Sequence, residues 1–80
     1  MSLKLNILTP EWGREETVQA VFLPGALCPF EVLPGHAPIV STLSAGTVRW
    51  RLTDGTEDSV AIRGGVARVL KDVVELCIEV

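Results

Sequence analysis

Eighty residues leave room for one domain and no second. Seven Lys and Arg against ten Asp and Glu give a formal net charge of −3, the wrong sign for gripping a nucleic-acid backbone. Hydrophobic residues are 48% of the chain and charged ones 21%, which excludes disorder; a domain this small hides only about 60% of its unfolded surface, so an apolar docking patch is expected outside the core.

The dominant sequence period is two, which puts apolar side chains on one face of an extended chain and polar ones on the other. Leu3, Leu5 and Ile7 alternate with Lys4 and Asn6 until Thr9-Pro10-Glu11-Trp12-Gly13 breaks the run. From Met1 to Ile7 polar residues interrupt every apolar one, so the opening lacks the unbroken apolar core of a signal peptide. Glu11 to Thr17 is the one stretch that could pass for a helix, and Gly13 and its single-turn length argue against that. Val18, Ala20 and Phe22 then share a face before Pro24-Gly25 turns the chain, and Phe30 and Val32 flank Glu31. Ile39 to Leu43 follows the Pro34-Gly35-His36-Ala37-Pro38 punctuation and closes at Ser44-Ala45-Gly46.

The cleanest hairpin comes next. Val48, Trp50 and Leu52 share one face, Arg49 and Arg51 the other, and Asp54-Gly55 is the strongest short turn signal in the chain. After Val60 and Ile62, Gly64-Gly65 marks a bulge or corner. Val66 to Leu70, the Lys71-Asp72 turn, and Val74, Leu76, Ile78 and Val80 complete the pattern. Strands at spacings of about 8 to 12 residues predict an all-β fold, a small antiparallel β-sandwich or flattened barrel of about eight to ten short strands, as a single domain over 1–80. No stretch reaches the roughly 18 apolar residues of a membrane-spanning helix.

Chemistry-bearing residues are sparse. Cys28 and Cys77 lie far apart with no Cys or His nearby, so neither a zinc site nor a CxxC pair is expected, and both thiols are read as free and buried. His36 is the only histidine; without a nucleophile or orienting carboxylate at a telling spacing it reads as a turn residue bonded to neighbouring backbone. Its loop is stiffened by Pro34, Gly35 and Pro38, which suits recognition because little ordering is lost on binding. Glu15, Glu16 and Glu31 form no recognisable acid–base pair, and Gly64-Gly65 lacks the Lys and Ser or Thr of a phosphate loop. Arg49, Arg51, Arg63 and Arg68 could pair across the sheet or meet a partner's carboxylates; Trp50 is expected in the core, whereas Trp12, in a turn, is a candidate interface anchor.

The run Pro34-Gly35-His36-Ala37-Pro38, followed by Ile39-Val40 and Leu43-Ser44-Ala45-Gly46, resembles the signature of the epsilon subunit of F-type ATP synthases. The opening Leu3 to Glu11 and the Arg63-Gly64-Gly65-Val66 corner are similar to stretches of that family, so the likeness extends from Leu3 to Val80. It implies an N-terminal β-sandwich at the base of the central rotor stalk. Such a domain grips the gamma subunit, rests on the c ring, and couples proton flow to ATP synthesis with no cofactor and no chemistry of its own. The location implied is peripheral, on the cytoplasmic face of a bacterial inner membrane. By this likeness Pro34, Gly35, His36, Ala37 and Pro38 lie at the gamma contact. The Pro24 to Glu31 loop, with Cys28, Pro29, Phe30 and Glu31, faces the polar loops of the c ring.

The chain departs from the family pattern in two places. Cys28-Pro29-Phe30-Glu31 stands where many members have a glycine-rich stretch with an acidic residue. Members usually continue into a C-terminal helical hairpin that regulates rotation and in some bacteria binds ATP; this chain stops where that hairpin would begin, so nucleotide binding is not expected of it. The alternative is a biotinyl or lipoyl carrier domain, which would need its modified lysine at a hairpin tip. Lys71 is the only such position, and it has no flanking Met.

Overall fold

Alternating Leu, Ile and Val side chains can bury one face only if strands pair edge to edge and the resulting sheet folds over on itself. The computed structural model, which describes residues 1–80, does this with eight strands and no helix: β1 (Leu3–Leu8), β2 (Gly13–Leu23), β3 (Phe30–Val32), β4 (Ile39–Leu43), β5 (Gly46–Leu52), β6 (Glu57–Ile62), β7 (Gly64–Leu70) and β8 (Val73–Glu79). The order across the sheet is β4-β7-β8-β1-β2-β5-β6, with β3 on the far half of β2. Gly25, just beyond β2, bridges to Leu43 of β4 and curls the sheet toward closure. The all-β expectation holds. Every pairing is antiparallel except that of the first and last strands, which run parallel from Lys4↔Val73 to Leu8↔Cys77.

The core holds most of the set the alternation predicted in β1, β5 and β8, although Leu52 is only half-buried against it and Val80 is exposed. Leu3, Leu5, Ile7, Val48, Trp50, Val74, Leu76 and Ile78 are all buried in one cluster. Each such side chain contributes about 1.5–3 kcal/mol by leaving water. Glu11 to Thr17 forms no helix; Gly13 opens β2 instead. The turn before it is held by Thr9, whose Oγ1 accepts from the Glu11 and Trp12 N–H groups at 3.2 and 3.0 Å.

Three details depart from the sequence reading. In β2 the register against β5 slips between Val18 and Ala20, a bulge at Gln19, whose Nε2 donates to the Thr53 carbonyl at 2.9 Å. A bulge inserts one residue and exchanges the faces beyond it. Val18 therefore shares the core with Val21 and Leu23, while Phe22 turns outward beneath Arg49, whose guanidinium lies 4.3 Å from the ring centre. Second, Cys28 and Cys77 are free but exposed rather than buried: Cys28 sits in a surface loop, and Cys77 is on the outward face of β8.

The third concerns turns. Asp54-Gly55 does close the β5–β6 hairpin, but within a four-residue loop where Gly55 alone has positive φ, at 90°. The geometry with positive φ at both central positions is taken by Lys71 (50°) and Asp72 (62°), in the two-residue turn between β7 and β8. In the longer loop Thr56 donates to Asp54 Oδ1 through its hydroxyl at 2.6 Å and its N–H at 2.9 Å. These bonds, the hydroxyl foremost, hold the Asp54 carboxyl below its ordinary value. A depressed carboxyl stabilises the fold only while ionised, so its contribution is present above the ordinary carboxylate pKa and fades as pH falls through the lowered one. Thr56→Ala removes the hydroxyl but keeps the N–H, and should move the Asp54 midpoint part of the way back up in an NMR carboxyl titration. An unmoved midpoint would show that the hydroxyl does not set it.

Candidate functional site

With the core satisfied, what remains for function is the surface. Leu27 is fully exposed at 102% and Val40 at 70%. The two lie in one groove of about 510 Å³, between the loop after β2 and the edge strand β4. Cys28 and Phe30 line it from the loop side; His36, Ile39 and Val40 line it from the other. β4 supplies these groups because it is short, pairs with β7, and turns Ile39 and Val40 into solvent while only Leu43 reaches the core. The apolar surplus expected from composition is thus partly gathered into one place.

The loop from Pro24 to Phe30 is positioned by backbone. Ala26 donates to Thr42 at 2.9 Å, and Ser44 donates to Pro24 at 2.8 Å. Between those two bonds Gly25 is buried so tightly that an added Cβ would stand 2.9 Å from the Phe30 ring and collide with the Cys28 carbonyl oxygen.

The second predicted loop is a type II turn. Pro34 and Gly35 occupy its central positions, Gly35 at φ 84°, and the His36 N–H donates to the Leu33 carbonyl at 3.1 Å. His36 Nδ1 lies 2.7 Å from the Ala37 carbonyl oxygen, which can only accept, so Nδ1 carries the proton. That is the backbone-bonded turn histidine expected from sequence. Ala37 and Pro38 are exposed and lead into β4.

The nine residues singled out in these two loops do not form two separate patches. Phe30 is a shared wall. On its other side lies a groove of about 480 Å³ lined by Pro29, Phe30 and Glu31 with Phe22, Pro24 and Arg49. Cys28 and His36, assigned by resemblance to different partners, share the first groove. Leu27, Ile39 and Val40 were not singled out from sequence. Their signal was present all the same, in a leucine in a Pro/Gly loop and consecutive β-branched residues after Pro38, neither of which fits an alternating core strand.

The charged residues largely satisfy one another. Arg49 and Arg51 both reach Glu57 at 3.4 Å, Arg14 holds Glu16 at 2.8 Å and Asp58 at 2.9 Å, and Arg68 pairs with Glu75. Those two bonds, that to Glu16 first, raise the Arg14 pKa. These pairs are solvent-exposed and contribute about 0–1 kcal/mol each. The cross-strand reading of Arg49, Arg51 and Arg68 is the one observed, while Arg63, Lys71 and Glu31 have no ion-pair partner. No three His, Cys, Asp or Glu side chains converge in metal-binding geometry. Trp12, the candidate anchor, is exposed in the turn between β1 and β2 and lines neither groove.

The fold is shared with known proteins. Residues 2–80 match the family model described as the ATP synthase, Delta/Epsilon chain, beta-sandwich domain. The ATP synthase epsilon chain of Wolinella succinogenes is 43% identical over 68 residues, covering 84% of this chain and 52% of that one. That of Syntrophobacter fumaroxidans is 44% identical over 75 residues, covering 92% and 55%. The chain thus spans about half the length of these curated relatives. A chain in the Euglena gracilis mitochondrial ATP synthase structure of OSCP, F1 and c-ring superposes with a TM-score of 0.91 at 25% identity, over 96% of this chain and 50% of that one. One from the Tetrahymena thermophila central stalk and c-ring shares the fold, with a TM-score of 0.84 at 11% identity, over 100% of this chain and 65% of that one. The matched segment contains both loops and all eight strands, and the chain belongs to the ATP synthase delta/epsilon-chain beta-sandwich family.

Proposed function

We propose that this domain is a non-catalytic rotor part of an F-type ATP synthase, docking on the gamma subunit and the c ring so that proton flow through the ring is coupled to ATP synthesis. The family match and the names of its relatives support the setting. The single observation that carries the docking role is the exposed apolar groove at Leu27, Phe30, Ile39 and Val40. A coupling that slips would waste the gradient, so the contact must be strong. A specific interface of about 800 Å² per partner centred on such a groove can supply this.

The two sides of Phe30 differ in chemistry, which suggests how two neighbours are shared. The groove holding His36, Ile39 and Val40 has no carboxylate, Lys or Arg in its lining and suits the gamma subunit, with Pro34, Gly35, Ala37 and Pro38 in the loop that carries His36. The groove holding Pro29, Glu31 and Arg49 carries an unpaired carboxylate and a guanidinium, and suits the polar loops of the c ring. Cys28 then belongs on the gamma side. The position that follows is peripheral, on the cytoplasmic face of a bacterial inner membrane. Co-expression with the cognate gamma subunit is expected to give a complex that co-elutes in size exclusion at one-to-one stoichiometry. Two separate peaks at micromolar concentration would refute the docking reading.

A further inference from the structure

The Pro34–Pro38 loop makes only local bonds except for one. His36 bonds back to Leu33 and forward to Ala37, and Pro34 and Pro38 have no N–H to give. The exception is the Gly35 N–H, which donates to Asp72 Oδ1 at 2.7 Å across 37 positions of sequence. Asp72 is in turn fixed on two sides. It lies in the β7–β8 turn between the paired Leu70 and Val73, and its carbonyl accepts from the Lys4 N–H of β1 at 2.9 Å.

The residue choice in that turn is informative. Positive φ at both positions favours Asn or Asp followed by Gly, yet the chain uses Lys71 and Asp72. Glycine would relieve the left-handed backbone but would remove the carboxylate. A non-glycine residue kept in this conformation points to a role for its side chain. Asp suits both demands, since its short polar side chain tolerates the left-handed region and its carboxylate accepts strongly from a backbone N–H.

We propose that Asp72 is the positioning residue of the docking loop: its carboxylate, held by the β7–β8 turn and β1, fixes Gly35 and so sets the pose in which His36 and the β4 edge are offered to a partner. This rests on the docking reading above and adds a determinant outside the loop itself. Two variants separate side chain from backbone. Asp72→Gly relaxes the turn and deletes the acceptor; Asp72→Asn keeps an acceptor oxygen and tolerance of positive φ.

In the first, the Tm should hold or rise while the Gly35 amide exchanges about tenfold faster in NMR hydrogen exchange and affinity for purified gamma falls about fivefold or more. In the second, both exchange and affinity should stay near wild type. Unchanged Gly35 protection in Asp72→Gly would overturn the anchoring, and faster exchange with undiminished affinity would overturn its importance for docking. If the wild-type chain itself bound no gamma, the docking reading would fall, and Gly35 exchange would still decide whether Asp72 holds the loop.

Discussion

Gly25→Ala should cost the domain about 3 kcal/mol, the range of overpacking in a tight interior, and lower its Tm by about 15 °C. The reason is space, not backbone freedom. Gly25 has no positive φ, but it is buried, and a methyl group there would meet the Cys28 carbonyl oxygen and the Phe30 ring. The carbonyl belongs to backbone pinned by the Ala26 to Thr42 bond, so the strain cannot be relieved by rotating one side chain. Either the loop lifts off β4, losing the Gly25↔Leu43 bridge, or Phe30 leaves its place against the core. Both outcomes deform the two grooves that Phe30 divides, so docking should weaken beyond what the loss of folded population explains. Gly35→Ala is the control. There φ is 84° but nothing lies within 4 Å of the added Cβ, so the cost should be about 1 kcal/mol, from strain alone. Thermal and urea unfolding of the two variants would check this; equal costs would mean that crowding at Gly25 is relieved in some other way.

The contrast between these glycines shows what could be read from sequence and what could not. Alternation in β1, β5 and β8 placed Leu5, Trp50 and Leu76 in the core because a strand's faces follow from parity alone. In β2 Val18 and Ala20 are buried as the rule placed them, but it failed at Phe22. The run Ala20-Val21-Phe22-Leu23 is apolar on both faces, so parity had no polar residue against which to detect the bulge that turns Phe22 outward. The type II turn at Pro34-Gly35 was legible because those residues have few alternatives. That Asp72 reaches Gly35 was not, because it depends on the antiparallel pairing of β4 with β7, which sets Ile39 against Val69 and so brings the loop before β4 beside the β7–β8 turn. The site was legible as two segments; that Cys28 and His36 face one groove is a property of the curled sheet. Asp54-Gly55 predicted a hairpin correctly but not its loop length, since the Thr56 side chain captures Asp54 and extends the turn.

The second large effect concerns binding and not stability. A double substitution, Leu27→Asp with Val40→Asp, is expected to leave the fold intact and to weaken association with the gamma subunit at least about a hundredfold, or about 2.7 kcal/mol. Stability should survive because neither side chain belongs to the buried cluster and both stand in water, so replacing them removes almost no core contact. Surface changes of this kind usually fall within about ±0.5 kcal/mol. Binding should suffer because truncation in a groove centre loses apolar burial, and a carboxylate there must also shed its water against an apolar partner. The arginines closest in the sheet to these positions are already engaged. Arg68, across from Val40 on β7, is already paired with Glu75, and the Arg49 and Arg51 pairs with Glu57 lie beyond Phe30. Salt distinguishes the cause, since desolvation of a buried carboxylate responds weakly to ionic strength, whereas repulsion between exposed charges is screened within about 10 Å at 0.1 M. Isothermal titration at two salt concentrations, with circular dichroism to confirm the fold, gives the result directly. Undiminished affinity in a folded double variant would show that gamma docks elsewhere on the sheet.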